Sequence, residues 1–484
     1  MSILTEMLNK TLQGVVNAGT RRAAKKEAPV LYEGTFERLK KAPAACYTAG
    51  FGNAPVLPDD IDTAMYYIAG YRENNPAKGV IDPQYVSALW LNDGSRRGGV
   101  LFLAIDAVGL LNKDVKEMKR RLAAFRTQTG CRNINVMCTH DHAGIDTMGL
   151  WGPLPRTGRD PKFMELLFAC AEKAAFAAYE DRREGQLYYG QIEVPDLQED
   201  IRLPEVYSKM LTRLRFAPAD GTREIWFLNF AAHCESLQGC NSLVSADYPC
   251  YLREHIREQT GAETVFAVGA VGGMISMRVE DEDLLRKEHR LLENTRSIGV
   301  KLAKYAISIQ NETRLTPQID LIRREFYVPV ENRLLTVAGM VGIINVDRWT
   351  APDGRAAVLS EMTYLEIGGL PVLLLPGEFF PELVYGGALP AEGSATGKGP
   401  EVNPPTLVEI AGDDRLLVFG LANDELGYIL PPNDFFLNPD IPYLDKGIDR
   451  LGRRHYEETN SAGPETAAVM AQAFQKIMEE VRKQ

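Results

Sequence analysis

The chain has no C-x-x-C pair, and its seven cysteines (Cys46, Cys131, Cys138, Cys170, Cys234, Cys240 and Cys250) form an odd set in 484 residues. That argues against a cysteine zinc site or a disulfide framework and fits free thiols in a reducing compartment. No stretch approaches the roughly 18 uninterrupted apolar residues of a membrane span. The opening MSILTEMLNKTLQGVV has neither the basic nor the apolar region of a secretion signal, so the expectation is a cytoplasmic chain. Basic charge is also short. The 54 Lys and Arg face 65 Asp and Glu, for a net charge of -11. The two signs are mixed along the chain, which argues against a nucleic-acid partner. Histidine is scarce too, with six residues, so the position of each is informative.

What is present is ordinary globular material, 45% hydrophobic and 25% charged, enough for a sizeable core. Ile3, Leu4, Met7, Leu8, Leu12, Val15 and Val16 follow helical spacing, and Arg21, Arg22, Lys25 and Lys26 come after them. Residues 1–44 thus read as a leader helix with a basic segment, docked on the body or on a sister subunit, which leaves a homo-oligomer open. Residues 45–484 read as one large domain. From about residue 98, short β-branched runs alternate with helical patterns, the signature of an α/β fold with a mixed sheet flanked by helices. The strand candidates are Val100–Ile105, Ile134–Cys138, Glu224–Phe230, Thr264–Val268, Met362–Ile367, Val372–Leu375 and Leu416–Phe419. Helices are expected near 112–127, 161–181, 247–259, 281–309 and 464–482. Gly- and Pro-rich stretches at 386–405 and 431–442 read as long surface loops.

Four candidate site residues follow strand candidates. His140 and His142 leave the strand ending at Cys138, and in extended backbone two residues apart share one face. His233 follows Glu224–Phe230, and Glu378 follows Val372–Leu375. In α/β sheets sites form beyond the carboxyl ends of strands, so two histidines and a carboxylate there make a zinc constellation. Such an H-x-H pair also arises as hydrogen-bonded loop residues. Tyr428, after Leu416–Phe419, either joins the set or packs in the core.

Longer segments resemble the neutral and alkaline ceramidases. His140 to Gly144 is similar to their T-H-T-H-S-G. In His233 to Tyr248 the positions Ser236, Asn241, Leu243, Ser245 and Asp247 agree with H-x-T-S-M-N-N-T-N-T-L-I-S-S-D-N. Pro376 to Phe379 resembles P-x-E-F, Gly420 to Tyr428 resembles G-L-A-N-x-x-x-G-Y, and His455-Tyr456-Glu457 resembles R-Y-E. Gly50 to Asn53 and Ile68 to Tyr71 look like the family's opening segments. The resemblance spans roughly residues 45–470. It implies zinc held by His140, His233, Glu378 and Tyr428, with His142 and Tyr456 beside the reacting carbonyl. Arg202, in a segment loosely similar to N-R-S-P, is either a further site residue or a surface arginine. The implied chemistry is zinc-assisted hydrolysis of an amide in a small-molecule substrate.

Departures from the family narrow that expectation. The family's Q-S-N-x-G-D segment, whose serine lies in the active site, corresponds to Val268 to Gly273, with Gly269 at the serine; Ser276 lies farther along the chain. Asp141 between the histidines is read as negative charge beside the cation, and Cys234 and Cys240 as thiols near the site. The chain ends soon after Pro464, which leaves no room for the family's C-terminal domain. The expectation is an amidase whose substrate is not ceramide. The alternatives are a catalytically silent metal- or ligand-binding protein, and a sugar-like substrate met by Glu235, Gln238, Asn241 and Asp247.

Overall fold

The computed structural model describes residue 14 and residues 28–40, 44–279, 282–287 and 289–484. The expected leader helix and basic run lie outside the described residues, Gly14 apart.

A first, nine-stranded sheet and its neighbours take up the first half of the chain. In chain order the strands are β1 (Tyr47–Val56), β2 (Gln84–Asn92), β3 (Val100–Ile105), β4 (Asn133–Cys138), β5 (Arg183–Glu193), β6 (Gln198–Asp200), β7 (Met210–Pro218), β8 (Ile225–Phe230), β9 (Glu263–Val268), β10 (Ile275–Met277) and β11 (Glu312–Arg314). Eight run β4-β3-β2-β1-β5-β7-β8-β9, with β11 beside β5, while β6 and β10 pair separately. The pairs β3·β4 and β8·β9 are parallel, and the other pairs are antiparallel.

A second, five-stranded sheet holds β12 (Ile319–Pro329), β13 (Arg348–Thr350), β14 (Ala356–Ile367) and β15 (Leu370–Leu374). Its last strand, β17 (Leu417–Phe419), runs parallel to β15. The short β16 (Glu378–Phe379) pairs in parallel with β18 (Tyr428–Ile429).

Alternation along the strands sets the layers. On β3, Leu101, Leu103 and Ile105 face one core with Phe163, Leu167 and Ala174 of the helix Pro161–Glu180 and Leu252 and Ile256 of the helix Tyr248–Thr260. Val100, Phe102 and Ala104 face the other way, onto Leu365, Val372, Leu417 and Phe419 of the second sheet. The second sheet's outer face, including Met362, Tyr364 and Leu373, packs on Met470, Phe474 and Ile477 of the helix Thr466–Arg482. The result is four layers, helices on sheet on sheet on helices. Strands buried on both faces carry mostly apolar side chains on both, which is why β3, β4, β8 and β9 read as largely hydrophobic runs, interrupted by the buried Asn133 and Asn135 of β4 and Asn229 of β8.

The mixed α/β expectation holds. β3 matches its expected span, β4, β8, β9, β15 and β17 differ by a residue or two, and β14 begins six residues earlier, at Ala356. All seven cysteines are free. Among the described residues no helix is long and apolar enough to cross a membrane.

Candidate metal centre

The ends of parallel strands in both sheets meet at one place. The segment after β17 lies between the edge strands of the first sheet: Gly420 N–H donates to Val268 O (3.0 Å), Cys138 N–H to Leu421 O (3.1 Å) and Asn423 N–H to Val136 O (2.7 Å). This brings the turns after β4, β8, β15 and β17 together.

His140, just past β4, adopts φ +61, a left-handed conformation that costs energy for a side chain of this size. Its Nδ1 lies 2.7 Å from Val108 O. His233 is fully buried, with Nδ1 2.9 Å from Ile275 O. Each Nδ1 must carry the proton to bond a carbonyl, so in the neutral ring Nε2 is the acceptor, the form in which imidazole binds metal.

The turn after His233 is held by Asp247, whose carboxylate accepts from Ser236 N (3.1 Å), Ser236 Oγ (2.6 Å), Leu237 N (3.0 Å) and Tyr248 N (2.7 Å). The turns carrying the histidines are stitched by His142 N–H to Cys234 O (2.9 Å). Gly70 lies so close to His142 that a Cβ there would fall 2.5 Å from the ring's Cγ, so this position leaves room for no side chain.

The acceptor atoms converge. Glu378 Oε2 stands 3.1 Å from His233 Nε2 and 3.3 Å from His140 Nε2, and His142 Nε2 is 3.1 Å from His140 Nε2. One nitrogen from each of His140, His142 and His233 lies within 4.8 Å of the others. With N and O donors at about 2.0–2.1 Å from a tetrahedral ion, neighbouring donors stand about 3.3 Å apart. The spacings and the donor chemistry therefore fit a metal ion, and this buried group can hold one. Glu378 and Tyr428 are cross-strand partners on β16 and β18, which puts both side chains on one face. The Tyr428 hydroxyl is 3.0 Å from the Tyr456 hydroxyl, and both contact Met274 Sδ, at 3.0 and 2.9 Å.

The electrostatics follow from burial and this clustering. Burial, reinforced by charge on His140, pushes His142 down to about 3, so it is a neutral imidazole. Burial also opposes charge on His233, but the bond to Glu378 and the nearby Glu235 carboxylate outweigh it and raise His233 to about 8. Burial works against the Glu378 carboxylate as well, and His140 and His233 overcome it and hold its pKa well below the usual range. Burial drives Tyr456 far up, so its hydroxyl keeps its proton.

Glu235 is a hub that the sequence showed only as a polar neighbour of His233. It accepts from Tyr71 Oη (2.7 Å) and Ser276 Oγ, and its Oε2 lies 3.6 Å from His142 Nδ1. Its partners come from three distant segments, so no local pattern announced it. Ser276 thus belongs to the site's surroundings. At Gly269 an added Cβ would meet Ala231 at 3.1 Å, so that position faces packed backbone. Asp141 points away from the histidines. It is buried, accepts from Ala143 N–H (2.9 Å) and lies beside Gly144 and Gln84. Burial and neighbouring acids raise its pKa well above the usual carboxylate range, which runs against the expectation of negative charge beside the cation. Cys234 is buried and its thiol is pushed up by burial, while Cys240 is exposed. Arg202 is a part-buried member of an ion cluster, 3.0 Å from Asp434, 2.9 Å from Glu457 and 3.0 Å from Glu458. It grips the segment that carries Tyr456.

Over the cluster opens a cavity of about 770 Å³, bordered by His140, His142, Glu235, Glu378, Tyr428 and Tyr456. This is the size range of ligand sites.

No protein-family model and no curated protein sequence matches the chain. Among solved structures, it superposes on a neutral ceramidase from Pseudomonas aeruginosa with TM-score 0.67 at 16% identity, over 92% of this chain and 75% of that one. A ceramidase complexed with C2 gives 0.65 at 16% identity, over 92% and 76%. The chain has the neutral ceramidase fold. Motifs scattered over the ceramidase-like sequence pattern therefore sit in a ceramidase-like architecture, in spite of the low overall identity.

Proposed function

We propose that the chain is a zinc-dependent amidohydrolase that cleaves the N-acyl bond of a small-molecule amide other than ceramide. The observation that supports this most is the convergence of His140, His233 and Glu378 at tetrahedral donor spacings beside a ligand-sized cavity that His140 and Glu378 border. In this reading His140, His233, Glu378 and Tyr428 hold the zinc. When bound, the ion supplies Lewis acidity, polarising a carbonyl oxygen and acidifying a water molecule.

The chain's own residues do the rest. Glu235, fixed by Tyr71 and Ser276, faces His142 Nδ1 and favours the tautomer protonated there, which leaves His142 Nε2 as an acceptor toward the reacting centre. Tyr456 keeps its proton and donates a hydrogen bond to the oxygen on which negative charge develops. Arg202 is a positioning residue: through Glu457 and Glu458 it fixes the backbone that follows that tyrosine. The ground for a substrate other than ceramide is the sequence resemblance: Gly269 stands where the ceramidase pattern has its active-site serine, so whatever that side chain contributes in the family is absent here, although Gly269 itself packs against Ala231.

The test is acyl-chain release from a panel of N-acyl amides by zinc-loaded protein, followed by mass spectrometry. Release that a chelator stops and added zinc restores is the expected result. A zinc-loaded protein that releases acid from none of the panel contradicts the hydrolase reading.

A further inference from the structure

The cavity's charge is uneven. Four basic residues border it, namely Lys113, Lys116, Arg348 and Lys446. Lys113 is neutralised by Asp347 at 3.3 Å and Lys116 by Glu325 at 3.0 Å. Arg348, on β13, has no ion pair or hydrogen bond from its guanidinium among the described residues, although it is half-buried in the wall. Burial alone acts on it and lowers its pKa, yet a guanidinium stays charged at any physiological pH. Lys446 is exposed at the rim, with Nζ 5.4 Å from the centre of the Tyr456 ring and no ion pair from its ammonium among the described residues, although its backbone N–H donates to the neighbouring Asp445 carboxylate (2.8 Å).

The acids bordering the cavity do not offset these two charges. Glu235 and Glu378 are engaged with the histidines, and Asp347 with Lys113. Asp424 and Glu425 are buried and turned to backbone donors, accepting from Asn112 N–H (2.7 Å) and Gly427 N–H (2.7 Å). The remaining wall, built from Val108, Leu111, Met148, Leu335, Ile344 and Val346, is apolar. One cavity therefore offers an apolar surface, a candidate metal centre and two uncompensated cations, one of them stacked on Tyr456. A half-buried cation without a counter-charge is costly unless a ligand supplies one.

Resting on the amidohydrolase reading, we infer that the substrate is an anionic N-acyl compound, an acyl chain amide-linked to a small group bearing a carboxylate or another acid, which Arg348 and Lys446 bind. Neutral amides of the same chain length fill the apolar wall and leave both cations unpaired.

The test compares N-octanoylglycine with N-octanoylethanolamine on the zinc-loaded full chain by calorimetry, beside hydrolysis of the same two compounds. The acid is expected to bind at least about tenfold more tightly. The preference should collapse in Arg348→Met with Lys446→Met, while the neutral amide's affinity stays unchanged. Equal affinities in the unaltered protein, or a preference that survives the double substitution, overturn the inference. Binding reads the charge preference independently of turnover. A preference without hydrolysis of either compound sinks the hydrolase reading and leaves the anionic-ligand inference standing, whereas hydrolysis without preference does the reverse.

Discussion

Replacing Glu378 with glutamine is expected to weaken zinc retention by about a hundredfold or more and to abolish amide hydrolysis, with the fold intact. The substitution keeps the volume and one oxygen but removes the charge, which lies 3.1 Å from His233 Nε2 and 3.3 Å from His140 Nε2. A neutral amide oxygen is a poorer ligand than a carboxylate. It also presents an N–H donor where the two imidazoles offer acceptor nitrogens, or forces the amide to turn away from them. Glu378 lies on the two-residue β16, bonded to β18 through the backbone, so the local structure does not depend on the side chain. Zinc titration against a competing chelator reads the first effect and acid release the second. Retention within a fewfold of the unaltered protein would remove Glu378 from the ligand set.

The largest loss of stability is expected at Glu361, far from the chemistry. This residue of β14 is fully buried and pairs with Lys119 of the helix Asn112–Arg121 and with Arg323 of β12 at 2.7 Å. Lys119 is itself nearly enclosed, at 15% side-chain exposure. Glu361→Ala leaves two cations without their counter-charge and opens a void, at a cost of about 3–5 kcal/mol. The pairing ties the helix that follows β3 to the second sheet, so the loss loosens the contact between the two halves of the fold. Combining Glu361→Leu with Lys119→Met should recover more than half of the lost stability, because an apolar pair needs no compensation. Thermal or denaturant unfolding of the three proteins measures this. Glu361→Ala at wild-type stability would show that the buried cluster contributes nothing.

What was legible in the sequence follows from where each strand sits. β3, β4, β8 and β9 are covered on both faces and wrote themselves as apolar runs, and the histidines could be placed because they follow such runs. β1 escaped notice because Gly50, Gly52 and Pro55 look like turn residues. In the fold an added Cβ at Gly52 would fall 2.0 Å from Ala174 O, so the strand needs glycine where the helix Pro161–Glu180 crosses it closely. β12 was hidden by Arg323, Arg324 and Glu325, charges that suit a surface loop until the buried Glu361 supplies a partner for Arg323. Within the site, His140, His142, His233 and Glu378 were readable as a group. Tyr71, Glu235, Met274 and Ser276 were not, because each depends on a contact between segments far apart in sequence. Asp141 misled because its neighbours are histidines in sequence, whereas in the fold its carboxylate accepts from Ala143 N–H and lies beside Gly144.

The most direct test is the zinc content of untagged protein by mass spectrometry, beside His140→Ala and His233→Ala variants shown by circular dichroism to be folded. A centre built on these two imidazoles gives about one zinc per chain in the unaltered protein and little or none in either variant. Unaltered protein that neither carries zinc nor takes it up, or variants that retain it in full, would contradict the metal centre and the hydrolase built on it.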